Sequence, residues 1–323
     1  MRAIVIQKFG GPENLVIKEL PDPEPKPGHV VIQVKAFGIN HAEMHMRRGE
    51  WAEAAEVSGI ECVGLVKSCP DGEFAVGTKV AALMGGMGRT INGSYAEYTR
   101  PPATNVAQIE SELPWEELAA IPESYATAWT CLLRNLELAE GQTLVIRGAM
   151  SSFGQAALNM AVNAGAHVIA TSRNRDRFEK LEALGARRVE IEGPDLSERI
   201  AEQKRIDAVL DLVGNSTILD SLSMLRRGGR ACLAGFLGGL APVPDFNPLL
   251  QMSSGVHFSF FGSFVFGKPG FPLSDVPLQT IAQQVAAGRY KAKPARVFRF
   301  EDIREAHRVM ESGQAGGKMV VLV

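Results

Sequence analysis

The sequence has only four cysteines in 323 residues, Cys62, Cys69, Cys131 and Cys232, and none stands at C-x-x-C spacing. That argues against a disulfide framework or a zinc cluster and predicts buried, reduced thiols in a reducing compartment. No apolar run is long enough to span a bilayer, so no membrane association is expected. Neither charge sign dominates: 34 Lys and Arg against 36 Asp and Glu leave −2 at pH 7. There is thus no basic surplus pointing to nucleic acid and no charge block pointing to a disordered tail. Internal repeats and low-complexity tracts are missing too. The opening Met1-Arg2-Ala3-Ile4-Val5-Ile6, before Gly10-Gly11-Pro12, lacks the charged, apolar and cleavage regions of a signal peptide and reads as a strand. The cytoplasm is the expected location. What is present, 46% hydrophobic and 22% charged residues over this length, predicts a globular protein of about two domains with a substantial core.

The first hundred residues read as β-rich. Apolar runs at 3–6, 15–17, 30–34 and 63–66 are separated by turn clusters such as Pro21-Asp22-Pro23-Glu24-Pro25-Lys26-Pro27-Gly28. From Glu116 onward helical patterns alternate with short apolar strands. Val209-Leu210-Asp211-Leu212-Val213 and Ala231-Cys232-Leu233-Ala234-Gly235 are too apolar for a sheet exposed on one side, which predicts parallel strands. Near the end, apolar runs at 296–300 and 318–323 flank a helix at 302–310 that returns to the first domain.

One segment carries most information. Leu144-Val145-Ile146-Arg147 enters a turn of small residues, a helical pattern follows (Ala156, Ala157, Met160, Ala161, Ala164), and His167-Val168-Ile169-Ala170 forms a second apolar run. Strand, tight turn, helix and strand make the βαβ unit that binds dinucleotides, with the helix N-terminus offered to the pyrophosphate. The glycine fingerprint is mostly missing. It is reduced to Ala149-x-Ser151-x-x-Gly154, where only the glycine demanded by close helix–strand packing survives. Ala149, Ser151, Ser152, Phe153 and Gly154 are the pyrophosphate candidates, with the two serine hydroxyls as possible donors.

Also lacking is the Asp or Glu that would hold the ribose 2′-hydroxyl of NADH after the second strand. Thr171, Ser172, Arg173, Arg175 and Arg177 stand there instead. Hydroxyls and guanidinium groups bind a 2′-phosphate by charge-assisted hydrogen bonds, and arginines at a helix start oppose its dipole unless an anion joins them. NADPH is the expected cofactor, through Thr171, Ser172, Arg173 and Arg177, with Arg175 the weaker candidate. The aromatic run from Val256 to Phe266 reads as a strand, either internal or an edge paired across a two-fold axis.

In this order the motifs resemble the medium-chain dehydrogenase/reductase superfamily, in its zinc-free quinone oxidoreductase-like branch. They are Phe9-Gly10-Gly11-Pro12-Glu13, Gly38-Ile39-Asn40, Gly59-Ile60-Glu61-Cys62-Val63-Gly64, Gly93-Ser94-Tyr95-Ala96-Glu97-Tyr98, Ala120-Ile121-Pro122 and Thr127-Ala128-Trp129. Asp211-Leu212-Val213-Gly214, Glu305-Ala306-His307 and Gly317-Lys318 complete the series. The resemblance covers nearly the whole chain and implies an α/β protein in two parts. A GroES-like β-rich catalytic domain would take 1–120 and 270–323, and a Rossmann doubly wound parallel-sheet domain 121–269. It also implies a homodimer through the last Rossmann strand, near Val256 to Phe266.

Zinc-dependent relatives place a cysteine, a histidine and a third ligand where this chain has, by the resemblance, Asn40, Ile60 and Glu123, and the four-cysteine loop is missing. Asn, Ile and Glu do not make a tetrahedral zinc site. His41, Glu43, His45, Glu61 and Cys62 cluster in sequence, but the reading is no metal, with Glu61 in a structural hydrogen-bond network. The resemblance puts Asn40 and Thr127 beside the nicotinamide, and Val213, Gly214, Gly235, Phe236 and Leu237 along the dinucleotide. Lys318 is then either a residue reaching the adenosine end or a solvated lysine. A proton donor is harder to find, because the loop after Asn40 holds no tyrosine; His45 stands there, with Tyr95 and Tyr125 as rivals. Met84, Met87 and Trp51 suggest an apolar pocket for a small hydrophobic electrophile, or ordinary core residues. These features predict NADPH-dependent hydride transfer to a quinone or an activated C=C bond. The alternatives are an NADP-dependent carbonyl or alcohol dehydrogenase, or a dinucleotide-binding protein with little turnover.

Overall fold

The computed structural model describes residues 1–323. The chain forms two compact units, 1–126 with 263–323, and 127–262.

The first unit is β-rich and GroES-like. Its seven-stranded sheet runs Arg296–Arg299, Met319–Leu322, Val31–Ile39, Glu61–Ser68, Lys79–Leu83 and Val106–Gln108, with Tyr98–Thr99 added beside Val31–Ile39. Neighbours are antiparallel except Arg296–Arg299 and Met319–Leu322, which run parallel through the intervening helix Ile303–Glu311. The C-terminal segments thus return to this unit, as the sequence pattern predicts. Arg2–Ile6 and Leu15–Glu19 form a separate hairpin. Alternating side chains enter a core that includes Ile4, Ile32, Phe37, Cys62, Val80, Met87, Tyr95, Phe300 and Val321. Met87 is therefore a core residue, as is Tyr95.

The second unit is the Rossmann unit. Its six strands are all parallel, in the order Arg188–Ile191, His167–Ser172, Thr143–Arg147, Ile206–Asp211, Leu225–Leu233 and His257–Phe260. Counted along this unit that is 3-2-1-4-5-6, the doubly wound arrangement. The interior strands are rich in buried apolar residues, as suits a parallel sheet, with Arg147 and Asp211 as buried charges at two strand ends. Strand His257–Phe260 ends the sheet and pairs only with Leu225–Leu233. The internal placement considered for the aromatic run is therefore wrong, and the strand is four residues long, with Ser263–Val265 already a 3-10 turn. Phe258 and Phe260 remain 39% and 51% exposed on it. No helix is long and apolar enough to cross a membrane, and all four cysteines are free thiols, three of them buried.

Candidate functional site

Strand order reverses between Thr143–Arg147 and Ile206–Asp211, the position where open α/β sheets hold dinucleotides outside the strands' carboxyl ends. After the first of these strands Gly148 turns the chain with φ of +75°, a left-handed value that suits glycine. Ser151 caps helix Ser152–Asn163: its hydroxyl accepts from the Gly154 N–H and donates to the Gly148 carbonyl, both at 3.0 Å. That hydroxyl is spent on the turn, which corrects the expectation that Ser151 donates to phosphate. The N–H groups of Ser152 and Phe153 open the helix without intrahelical partners. A Cβ on Gly154 would lie 2.7 Å from both Ala149 Cα and the Gly148 carbonyl oxygen, so the close packing read from the sequence is present.

Two more loops meet this turn. A Cβ on Gly148 would touch the Leu237 side chain at 2.9 Å, one on Gly214 the Gly235 carbonyl at 2.9 Å, and one on Gly235 the Leu212 carbonyl at 2.7 Å. The Leu237 and Gly238 N–H groups donate to the carbonyls of Leu212 and Val213 at 3.0 and 2.7 Å. Val213, Gly214, Gly235, Phe236 and Leu237 therefore lie together in one cradle with Gly148, its loops packed closely because its glycines lack side chains.

Buried charge holds the cradle from behind, a feature the sequence did not reveal. Asp211 ends its strand fully buried, and its carboxylate accepts from the N–H groups of Val213 and Gly214 (3.0 and 2.9 Å) and from the hydroxyls of Thr217 and Ser221. Burial pushes its carboxyl up, opposed by these donors and by Arg147. Arg147, also fully buried, donates to Glu192 through Nε at 3.0 Å, to Asp220 at 2.6 Å and to Ser221 at 3.2 Å. Glu192 in turn accepts from the Thr171 hydroxyl, and Thr171 Oγ1 accepts from the Gly148 N–H at 3.0 Å. Thr171 is thus buried behind the turn, its hydroxyl committed inward, and does not face a 2′-phosphate as expected.

The next residue is still buried, and those after it reach the surface. Ser172 is buried, and its hydroxyl donates to the Asn174 carbonyl at 3.0 Å and accepts from the Asn174 N–H at 3.2 Å; it is spent on a local turn, which corrects the expectation that it binds the 2′-phosphate. Arg173 is exposed and makes no ion pair, and Arg175 lies over the Phe178 ring at 5.8 Å. Burial together with the positive charge of Arg177 lowers the pKa of Lys180, one turn farther on. Lys180 therefore joins the basic segment; as a lysine inside a helical pattern, it gave no sequence signal of its own.

In the first unit Asn40 caps helix His41–Arg48, its N–H donating to Glu43 at 2.7 Å. The Asn40 side-chain amide donates to Glu61 at 2.9 Å, and its carbonyl oxygen accepts from Lys318 at 2.7 Å. Lys318 also pairs with Glu61, whose second oxygen accepts from the Glu123 N–H at 2.7 Å. A Cβ on Gly38 would collide with both Glu61 and Lys318, which explains the glycine of Gly38-Ile39-Asn40. Glu61 belongs to a hydrogen-bond network, as read. Lys318 corrects both sequence readings: it is 7% exposed, so it is not a solvated lysine, and it spends its ammonium on Asn40 and Glu61. Glu43 is fully buried here, and burial raises its pKa to about 8 against the pull of Lys318.

The proton-donor candidates separate sharply. Tyr95 is fully buried, stacked on Phe37 at 4.5 Å with its hydroxyl 3.2 Å from His307 Nε2, and burial pushes its pKa well up. It is a core residue, not an acid within reach of a substrate, which corrects the expectation. Tyr125 is also buried, stacked on Tyr290. His45 is partly open, with Nδ1 2.5 Å from Glu50 and its ring stacked on Trp51. Thr127 lies in the second unit near the end of helix Pro122–Thr130, 5% exposed. No three His, Cys, Asp or Glu side chains gather as a metal would require, and Ile60 is buried beside Glu61.

Comparison with known proteins places this geometry. The alcohol dehydrogenase GroES-like domain family matches residues 26–111, and the zinc-binding dehydrogenase family matches residues 153–273. The chain is 26% identical to the quinone oxidoreductase of Homo sapiens, over 100% of this chain and 98% of that protein. Among solved structures, an NAD-dependent alcohol dehydrogenase is 28% identical with a TM-score of 0.84, and a mycobacterial protein complexed with NADPH is 24% identical with a TM-score of 0.87. Both cover 100% of each chain, and the second speaks to the fold alone.

Proposed function

The chain belongs to the medium-chain dehydrogenase/reductase superfamily, in its quinone oxidoreductase-like branch, and on that premise we propose a zinc-independent, NADPH-dependent oxidoreductase that reduces a quinone or an activated C=C bond. The oxidoreductase class comes with the family; the cofactor, the acceptor and the absence of zinc are this proposal. The observation that carries it is the basic segment with exposed Arg173, half-buried Arg177 and exposed Lys180, adjoining a Rossmann cradle where an NADH enzyme would hold an acid. NADPH, when bound, supplies the hydride.

The remaining work falls to the chain itself. The N–H groups of Ser152 and Phe153, at the start of a twelve-residue helix, and the small residues Gly148, Ala149 and Gly154 suit a pyrophosphate. Val213, Gly214, Gly235, Phe236 and Leu237 present backbone to the dinucleotide, and Arg173 and Arg177 bind its 2′-phosphate. Thr171, Asp211 and Arg147 fix these loops from behind. Asn40 and Thr127 orient the nicotinamide and acceptor, and His45 donates the proton. Because both hydrogens of the Asn40 amide face Glu61 and Glu43, its spare capacity is a lone pair on the carbonyl oxygen, suited to an amide N–H. The donor set supports zinc independence: Asn40 and Ile60 are not zinc ligands, and the Lys318 ammonium bonded to Asn40 would repel a dication.

A second reading, a carbonyl or alcohol dehydrogenase, is favoured by the likeness to the NAD-dependent alcohol dehydrogenase. We further place the protein in the cytoplasm, given its free thiols, and as a homodimer joined at strand His257–Phe260, whose exposed phenylalanines a second copy would cover. Light scattering of Phe260→Lys should then show monomers. The functional test is NADPH oxidation by chelator-treated protein with quinones, enones, aldehydes and, in reverse, alcohols. Consumption with a quinone or enone, unaffected by chelator, is expected. Loss of activity on metal removal contradicts the zinc-free mechanism, and preference for aldehydes or alcohols supports the second reading. Tight NADPH binding with no turnover would leave a binding protein.

A further inference from the structure

Helix His41–Arg48 ends at Gly49, whose φ of +72° turns the chain back on the helix. The Glu50 N–H then donates to the His45 carbonyl at 3.0 Å, so Glu50 is folded over the histidine one turn before it. Its carboxylate oxygen Oε2 lies 2.5 Å from His45 Nδ1, while Oε1 is 3.7 Å from Arg48. Trp51 completes the clamp, its ring 5.4 Å from the imidazole and inclined by 11°. The His45 side chain keeps 13% of its surface open. A Cβ on Gly49 would meet the Phe9 ring at 2.8 Å, so packing as well as the left-handed turn restricts this corner to glycine. A histidine held on one nitrogen by a carboxylate and on one face by an indole has a fixed tautomer and a fixed ring plane, with Nε2 left for proton transfer.

Resting on the hydride-transfer reading above, we propose that Glu50 is the positioning residue for His45 and that the acceptor is an α,β-unsaturated carbonyl compound rather than a quinone. The chemistry distinguishes the two. A hydride added to a quinone leaves a hydroquinone anion that water can protonate. A hydride added to the β-carbon of an enone moves the C=C electron pair toward the carbonyl oxygen and leaves a strongly basic enolate. The Nε2 proton of the His45 imidazolium passes to that enolate, forming the saturated ketone. The neutral ring keeps its Nδ1 proton on Glu50 and regains the other from water. Overall, NADPH, enone and one proton give NADP⁺ and ketone.

The test compares wild type, Glu50→Ala, Glu50→Gln, His45→Gln and the Glu50→Ala/His45→Gln double variant, with cyclohexenone and benzoquinone as acceptors. NADPH affinity and thermal melting are followed alongside. A positioned general acid is worth about a hundredfold or more in rate, of which losing its orientation removes a large share. Glu50→Ala should lower enone kcat about tenfold or more, with unchanged NADPH affinity and quinone kcat within about threefold. Glu50→Gln, whose amide oxygen still accepts from Nδ1–H, should recover most of the loss, and the double variant should be no worse than His45→Gln alone. Enone kcat unaltered in Glu50→Ala, or enone and quinone rates falling by the same factor, would overturn the role. So would a wild type that reduces the quinone but no enone. A wild type inactive with both acceptors would instead overturn the oxidoreductase reading on which this role depends.

Discussion

In the Rossmann unit a buried arginine, Arg147, meets Glu192 and Asp220 behind the loops, and nothing in that network is itself offered to a ligand. In the β-rich unit a buried lysine, Lys318, meets Glu61 and Asn40, and Asn40 is itself a candidate for touching the nicotinamide. The difference shows two ways of spending buried charge. The first network sets backbone: Asp211 holds the Val213 and Gly214 amides, and Thr171 links Glu192 to the glycine turn. The second sets one side chain, fixing both ends of the Asn40 amide so that its orientation is no longer free. Damage to the first should therefore be felt mainly as stability and to the second as turnover.

The largest effect should come from Arg147→Met. Removing one partner of a buried ion pair leaves uncompensated charge and costs about 3–5 kcal/mol. Urea unfolding should show that loss, while folded protein retains its turnover; a change below about 1 kcal/mol would mean the network is not coupled to folding. Lys318→Met should destabilise less, about 3 kcal/mol, because Glu61 keeps the Asn40 amide and the Glu123 N–H as donors. Its signature is kinetic: kcat should fall about tenfold with NADPH affinity kept, since roughly 1.4 kcal/mol of lost orientation is a tenfold rate effect. If NADPH affinity falls while kcat holds, Lys318 acts on the cofactor and the contrast between the two networks fails.

Glu43 sharpens the comparison through pH. Its folded pKa is raised from 4.5 to about 8, so the folded state holds a proton that the unfolded chain releases. That contribution to stability is fully present below about pH 4.5 and is lost as pH rises through about 8. Glu43→Gln cannot ionise, so its unfolding free energy should decline less than that of wild type across this window. Parallel pH profiles for the two proteins would remove Glu43 from the network.

What the sequence disclosed follows from how local each feature is. The strand, turn and helix around Gly154 lie within a few dozen residues, so their periodicity and the glycine that packing requires can be read directly. The edge position of His257–Phe260 was one of two readings that alternation alone does not separate. Lys318 and Tyr95 were misread because their partners are remote: Glu61 lies 257 positions from Lys318, and His307 lies 212 from Tyr95. Thr171 and Ser151 look like ligand donors in sequence, and only the fold shows that Glu192, Gly148 and Gly154 use their hydroxyls. Arg147 ends an apolar strand, an unusual place for an arginine, but its acceptors lie 45 and 73 residues on. Glu50 stands next to the helix-capping Gly49, and only the fold shows that this turn lays its carboxylate on His45.

The central claim, that the basic segment after the second Rossmann strand selects NADPH, is tested most directly by calorimetric titration of NADPH and NADH into wild type and Arg173→Ala. A partly shielded guanidinium–phosphate bond contributes about 1.5–3 kcal/mol, roughly tenfold to a hundredfold in affinity. Wild type should bind NADPH more tightly than NADH, and Arg173→Ala should weaken NADPH by about that factor while leaving NADH nearly unchanged. Equal affinity of wild type for the two cofactors, or equal weakening of both in the variant, would contradict it.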